Sequence, residues 1–357
     1  MCFVLRSVLE VDVRWSALFF VLSSLSCGSE NDLFAGERAP DGTKEPLTGT
    51  QEIPEGASAL KGRVCTPDGQ GPVVFADVTV HHDGGPSTTQ TDSDGAFSLV
   101  GLPPGTWEVQ IQKGSFEIWE EVVLERGATT DLSLDSQGCI PVEQGEVKIA
   151  VVTGAYDHIG DILSFMGFSF DTVRGVGGTD YVDFLRDPGA LARYDIVFFN
   201  CGMGERWLDH QAEISGNLKD YVRSGGSIYA SDWAYYLVES GWPNQHEFVG
   251  PDQSPYGAQV GNRQDLLADV IDPAMSAALG SDTAQIKYNL GGWAAIESTS
   301  GDTLLEGVYR YNGNQQRGPL ATRFEDGSGT VLYTSFHNES QSTNDMVILL
   351  QEIILSL

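Results

Sequence analysis

Residues that can carry acid–base, nucleophilic or metal chemistry stand at the ends of apolar runs in the C-terminal part of this chain. Seven of them follow or close four such runs: Asp157, His158, Asn200, Cys201, Asp232, His337 and Glu339. In an open α/β sheet, ligands bind beyond the carboxyl ends of the strands. If the runs are strands of one sheet, these side chains can meet, and carboxylates beside imidazoles can transfer protons, attack a substrate or hold a cation.

The segment 147–357 alternates short apolar runs with stretches of helical periodicity. Strands are predicted at 147–152, 170–173, 194–200, 227–230 and 329–336, and helices at 159–166, 214–222, 233–239 and 344–355. This alternation predicts a three-layer α/β sandwich, flavodoxin-like, with a mostly parallel sheet. The segment 242–320 matches no pattern we recognise, and most of its aromatic residues are expected in the core. His210 and His246 lack a paired ligand spacing and are expected at the surface or in loops.

Two segments resemble the class I glutamine amidotransferase-like superfamily. The run GGSIYASDWA at 225–234 is similar to the family's strand-to-helix elbow, and FHNE at 336–339 is similar to its Phe-His-Pro-Glu signature. The resemblance implies that His337 is the catalytic histidine position, that Glu339 is its orienting acid, and that Asp232 occupies the nucleophile position. Asn338 replaces the family's proline.

The decisive departure is Asp232, which stands where the family has cysteine. Amide attack in that family needs a thiolate, and a carboxylate is a poor nucleophile toward amides. The trehalose-utilisation branch of the superfamily also lacks this cysteine. Three interpretations of Asp232, His337 and Glu339 remain open: a stabilising remnant without turnover, a hydrolase of a carbohydrate or ester, or a cation site helped by Asp157 and His158. The first is favoured, so we expect a degenerate domain, a pseudoenzyme, with no metal and no cofactor.

Cys201 lies in Asn200–Gly204, near the place of a glycine-rich stretch that supplies oxyanion donors in amidotransferases. We expect a buried structural cysteine. If Cys201 instead lay at the bend beside His337, an active thiol enzyme would be indicated. The residues expected to bind a ligand in the old cleft are Asp157, His158, Asn200, Cys201 and Trp233.

The segment 58–135 consists of short alternating runs separated by glycine and proline, which predicts a small antiparallel β-sandwich. Strands are predicted at 60–64, 77–80, 96–99, 107–112, 119–124 and 130–134. The runs KGRV at 61–64, TDSDGAF at 91–97 and LPPGTW at 102–107 resemble the carboxypeptidase-regulatory-like domain, a transthyretin-like fold. Members of that family act mostly as spacers or binding modules, so carbohydrate binding by this segment is an alternative function. His81 and His82 are expected in a solvated loop.

The N-terminus carries an apolar run at 15–26, of signal-peptide length, followed at once by Cys27. Leu25-Ser26-Cys27-Gly28 resembles the bacterial lipoprotein signal, in which the cysteine is lipidated; an ordinary secretory signal is the alternative. Either one predicts export, to the cell envelope or outside the cell. The oxidising compartment then makes a disulfide between Cys65 and Cys139 plausible.

The composition narrows the partners. The 357 residues include 20 Lys and Arg against 50 Asp and Glu, a formal charge of −30. Such a surface repels phosphate backbones, which argues against nucleic-acid binding, and leaves the lipid anchor as the predicted membrane attachment. The predicted order is a signal at 1–27, an acidic tether at 28–57, the sandwich at 58–135, a linker at 136–146 and the α/β domain at 147–357. The ligand is a small molecule, a carbohydrate or a protein.

Overall fold

The computed structural model describes residues 52–357, except positions 70, 137, 340 and 341. The predicted signal, Cys27 and residues 28–51 of the predicted tether lie outside the described residues. Within the described part, no helix is long and apolar enough to cross a membrane.

The N-terminal region is a β-sandwich of two four-stranded sheets. Its strands are β1 (Ser58–Cys65), β2 (Asp77–His82), β3 (Gly85–Gln90), β4 (Ala96–Leu102), β5 (Gly105–Lys113), β6 (Phe116–Leu124), β7 (Thr129–Asp131) and β8 (Ile140–Pro141). One sheet has the order β3-β2-β5-β6, and the other has the order β4-β1-β7 with β8 also paired to β1. Alternate residues of β2 and β5, such as Val78 and Val109, point into the core between the sheets. The predicted sandwich is confirmed.

One detail of the sandwich differs from the sequence expectation, and the expected disulfide is present. His81 and His82 do not lie in a loop, because they end β2 and pair through the β2–β3 hairpin that the sequence analysis missed. His81 Nε2 lies 3.2 Å from Gln110 Oε1. Cys65 and Cys139 form a disulfide with a Cα–Cα distance of 5.8 Å, which ties the end of β1 to the chain just before β8.

The larger domain is built on one mixed sheet. Its elements are β9 (Ile149–Val152), α1 (Ile159–Phe165), β10 (Asp171–Val173), α2 (Asp180–Arg186), α3 (Pro188–Leu191), β11 (Ile196–Phe199), α4 (Gln211–Arg223), β12 (Ser227–Ser231), α5 (Tyr235–Gly241), β13 (His246–Phe248), β14 (Gln259–Gly261), β15 (Gln264–Val270), α6 (Pro273–Leu279), β16 (Thr283–Tyr288), β17 (Trp293–Ala294), β18 (Ile296–Thr299), β19 (Asp302–Tyr311), β20 (Asn314–Asp326), β21 (Gly329–Thr334) and α7 (Asn344–Leu355). Strands β10-β9-β11-β12-β21 are parallel, and β20, β19 and their neighbours continue the sheet antiparallel. The predicted α/β class is confirmed, and the unrecognised segment 242–320 supplies most of the antiparallel part.

The parallel strands bury both of their faces. Val151 and Phe198 belong to the core that contains α1 and α7, whereas Val152 and Phe199 belong to the core that contains α2, α4 and α5. Successive side chains of a strand point to opposite faces, so each apolar run contributes to both cores. This explains why these strands lack an apolar–polar alternation, and it makes the domain three-layered.

The sandwich packs against the end of α7 through a buried ion pair. Lys113 Nζ lies 2.5 Å from Glu352 Oε1 and donates to the carbonyl oxygen of Val74, and the two charged side chains are 8% and 3% exposed. Nearby, the rings of Phe116 and Phe168 stack with centroids 4.7 Å apart. The two regions therefore share one continuous apolar core.

His246 corrects a further expectation, because it is buried in β13 instead of lying at the surface. Its Nε2 lies 2.7 Å from Thr322 Oγ1, and its ring packs edge-on against Phe324. Burial lowers the pKa of His246 to about 4.

This shift predicts acid destabilisation with a defined origin. In the unfolded chain this histidine binds a proton near pH 6.5, but in the folded chain only near pH 4. The free energy of unfolding is therefore undiminished by this group above pH 6.5, and it falls as the pH drops toward 4. The loss from this group is about 2 kcal/mol at pH 5. Denaturant unfolding of the wild type and His246→Phe at pH 7.5 and pH 5 tests this, since the variant should lose about 2 kcal/mol less over the same interval. Equal losses in the two proteins would contradict it.

Candidate active-site cleft

Asp232 lies at a sharp bend between a strand and a helix. Strand β12 ends at Ser231, and a short 3-10 helix, Asp232–Ala234, leads directly into α5. The backbone of Asp232 has a φ of +43°, in the left-handed region that non-glycine residues seldom adopt. We call residues 231–234 the bend, and this is the place at which the glycine pair 225–226 predicts Asp232.

Three neighbouring parallel strands end at this site. Since β12 lies between β11 and β21, their carboxyl ends bring together Cys201, Asp232 and His337. Asp232 Oδ2 lies 3.4 Å from His337 Nε2 and accepts a hydrogen bond of 3.4 Å from the Cys201 thiol. The other carboxylate oxygen, Oδ1, accepts a 2.7 Å hydrogen bond from the backbone N–H of Ala294. Cys201 is buried, as expected, and it lies beside the bend, not on it.

A second set of buried polar groups supports this cluster from below. The Ser231 hydroxyl donates to Asp157 Oδ2 at 2.5 Å and accepts the backbone N–H of Cys201 at 2.9 Å. Asp157 Oδ1 accepts the backbone N–H of Asn338 at 3.2 Å. A proline at 338 has no N–H to give, so the asparagine supplies a donor to a carboxylate that is 1% exposed.

The protonation states follow from these contacts. Burial alone would lower the pKa of His337, but the hydrogen bond to Asp232 and the charges of Asp157, Asp232 and Glu339 raise it to about 9. Burial, with the charge of Asp232, raises the pKa of Cys201 far above its usual range. Burial also raises the pKa of Asp157, against the charge of His337. These shifts favour an imidazolium at His337 and an un-ionised thiol at Cys201 near neutral pH.

Several residues expected at the site take other roles. His158 is exposed. Its backbone N–H donates to the backbone oxygen of Asn338, and its backbone oxygen accepts the side-chain amide of Asn338. Asn200 is buried and donates to the backbone oxygen of Asp157. Glu339 does not orient His337, because His337 Nδ1 has no hydrogen-bond partner among the described residues. Among the described residues, the ligand atoms that converge belong to Cys201, Asp232 and His337, and neither Asp157 nor His158 is in that group.

A cavity of about 200 Å³ opens above the cluster. Cys201, Asp232, Trp233, His337 and Glu339 line it, as do residues that the sequence analysis did not select: Tyr156, Lys287, Tyr288, Asn289, Leu290, Gly291, Trp293, Ser335, Phe336 and Met346. The rings of Tyr288 and Trp293 stack at 4.0 Å. Lys287–Trp293 belongs to the segment 242–320, where no motif signalled a site.

Residues 59–137 match the family model of the carboxypeptidase regulatory-like domain. This confirms the resemblance stated for the N-terminal sandwich. No curated protein sequence matches the chain.

Solved structures with a similar fold have low sequence identity. A Bacillus anthracis TIE protein is 18% identical with a TM-score of 0.20, covering 22% of this chain; the match spans 16% of that protein's length. A cytoplasmic protein from Salmonella typhimurium is 13% identical with a TM-score of 0.36, covering 70% of this chain and 94% of that one. A glutamine amidotransferase from Thermotoga maritima is 9% identical with a TM-score of 0.33, covering 54% and 76%.

The contacts of Ser231 predict that the support beneath the cluster is costly to remove. Ser231→Ala leaves Asp157 Oδ2 without its donor and the Cys201 N–H without its acceptor, and each buried polar group left unpaired costs about 1–3 kcal/mol. We expect a loss of at least 2 kcal/mol in the free energy of unfolding, measured by denaturant titration. Ser240→Ala, which removes a half-buried hydroxyl bonded to Ser215, serves as the control and should cost less than about 1 kcal/mol. Equal losses would refute the supporting role.

Proposed function

We propose that this protein binds a small ligand in the cavity above Asp232 and performs no amidotransferase turnover there. The observation that carries the proposal is the position of the Asp232 carboxylate, whose Oδ2 lies 3.4 Å from both Cys201 Sγ and His337 Nε2. A thiol becomes a nucleophile when an imidazole removes its proton. Here the thiol donates to a carboxylate, which keeps the proton on sulfur, and the imidazole is paired with that same carboxylate.

Asp232 itself is poorly placed to attack. Its two oxygens face the Cys201 thiol, the His337 imidazole and the N–H of Ala294, so its charge is shared among three partners. Its backbone oxygen also accepts the hydroxyl of Tyr333. A carboxylate held in this way is a fixed recognition group.

The cavity favours a small ring-shaped ligand with several polar groups. Its volume of about 200 Å³ is below the 300–1,000 Å³ or so that is usual for drug-sized ligands. The partly exposed ring of Trp233 offers an aromatic surface, while Lys287 and Asn289 offer hydrogen-bonding groups. A monosaccharide has this combination of size, flat apolar face and hydroxyl groups.

Binding and turnover are tested together with a panel of monosaccharides, with glutamine for comparison. We expect at least one sugar to raise the melting temperature, and Asp232→Asn to weaken that sugar's binding at least tenfold while the fold is retained by circular dichroism. The matched control is Trp119→Ala, which removes a half-exposed ring on the sandwich and should leave the binding unchanged. Loss of binding in Trp119→Ala but not in Asp232→Asn would move the site to the sandwich and refute the proposal.

The turnover arm measures ammonia release from glutamine and hydrolysis of p-nitrophenyl acetate and p-nitrophenyl glycosides. The wild type, Asp232→Asn and Cys201→Ser should all be silent. Turnover that disappears in Asp232→Asn would establish the hydrolase, and turnover that disappears in Cys201→Ser would establish a thiol enzyme.

We further propose that the protein acts outside the cytoplasm, anchored through lipid on Cys27. The support is the apolar run before Cys27 and the Cys65–Cys139 disulfide, a bond that persists in oxidising compartments. When the full chain is expressed in a bacterium with lipoprotein processing, we expect it in the membrane fraction and Cys27→Ser in a soluble fraction. Identical distribution of the two proteins would refute the anchor.

A further inference from the structure

Three potential metal-ligand atoms converge at the floor of the cavity. Among the described residues, Cys201, Asp232 and His337 are the group whose ligand atoms, one from each, all lie within 4.8 Å of one another. Each follows a different strand of the rigid parallel sheet, and the three strands are neighbours. The convergence is therefore set by the fold, not by flexible loops alone.

The separations match those of a tetrahedral metal site. Bonds of about 2.3 Å to sulfur and 2.0 Å to nitrogen and oxygen, at tetrahedral angles, place ligand atoms roughly 3.3–3.6 Å apart. Asp232 Oδ2 lies 3.4 Å from Cys201 Sγ and 3.4 Å from His337 Nε2. The third pair, Sγ and Nε2, is no more than 4.8 Å apart, so it needs to close by roughly 1.2 Å at most.

The ligand set fits a divalent ion of the zinc type. Thiolate, carboxylate and neutral imidazole together carry two negative charges, which one divalent cation cancels, and buried charge requires such compensation. Soft thiolate and imidazole ligands select zinc and similar metals over magnesium or calcium. Three protein ligands leave a fourth coordination position free, and all three residues line the cavity.

The backbone holds two of the ligands in place without the ion. The backbone N–H of Ala294 donates to Asp232 Oδ1, and the Ser231 hydroxyl accepts the backbone N–H of Cys201. Ordering a site before the metal arrives lowers the cost of binding. The bend places the carboxylate so that Oδ2 faces both Cys201 and His337.

We propose that Cys201 Sγ, Asp232 Oδ2 and His337 Nε2 form a three-ligand Zn²⁺ site at the floor of the cavity, with the fourth position open to the bound ligand. This inference rests on the proposed ligand-binding function, since the ion and the ligand share one cavity. On binding, Zn²⁺ takes the place of the protons on the thiol and imidazole, which pass to the solvent. The ion then offers an attachment point for an oxygen or nitrogen of the ligand.

The test is titration of the full chain, freed of metal with a chelator, with ZnCl₂ in a calorimeter. We expect one Zn²⁺ per chain, proton release in buffers of different ionisation enthalpy, and a melting temperature that rises with Zn²⁺ concentration. Cys201→Ser and His337→Gln should weaken binding at least 100-fold. Glu121→Gln, which alters an exposed acid on β6 of the sandwich, is the control and should bind as the wild type does.

A spectroscopic arm identifies the sulfur ligand. Co²⁺ in place of Zn²⁺ should give a thiolate-to-metal charge-transfer band in the near ultraviolet for the wild type, and no such band for Cys201→Ser. Absence of binding at one ion per chain, unchanged affinity in Cys201→Ser, or a wild-type cobalt spectrum without this band would each overturn the site.

The sugar titration, repeated with and without chelator, separates this inference from the proposed function. Sugar binding without any zinc binding would support the proposed ligand-binding function and refute the metal site. Zinc binding without sugar binding retains the metal site and refutes the proposed ligand class.

Discussion

The structure of the cleft depends on one carboxylate held in a left-handed backbone conformation. A non-glycine residue there costs about 1–3 kcal/mol unless its surroundings compensate, although aspartate tolerates it better than most. At Asp232 the compensation is visible: Oδ1 accepts the N–H of Ala294, the backbone oxygen accepts the hydroxyl of Tyr333, and Oδ2 faces a thiol and an imidazole. The antiparallel part of the sheet is thereby joined to the bend, because Ala294 lies in β17.

The strands around the bend and the place of Asp232 could be predicted from the sequence, but the place of Cys201 could not. Strands β9, β11, β12 and β21 are buried on both faces, so their sequences are continuous apolar runs that predict strands. The glycine pair before β12 indicates the position of Asp232. The position of Cys201 next to Asp232 could not be predicted, because the order of strands in the chain does not tell which strands are neighbours in the sheet. Its proximity to Asp232 follows from β11 and β12 being adjacent in the sheet.

The remainder of the site was hidden for a different reason. Tyr288 and Trp293 come from a segment of short antiparallel strands without a motif. Their position above the bend depends on the pairing of β19 with β20 and of β20 with β21. The resemblance alone assigned Glu339 to orient His337, whereas in the structure the acid paired with His337 is Asp232, at Nε2. An aspartate in the bend can pair with the histidine itself, so a further acid has no such function to perform.

The sandwich is attached to the same domain by a contact of similar kind. Lys113 and Glu352 are both almost fully buried, and removing one partner of such a pair usually costs 3–5 kcal/mol because the other charge remains uncompensated. The ion pair contributes more to the relative position of the two elements than to net stability, because two apolar residues could fill the same space. The ion pair fixes β5 against α7, and α7 begins at Asn344, shortly after His337, and packs on the sheet face that also holds α1. The sandwich therefore packs against the helix that follows the cleft's histidine.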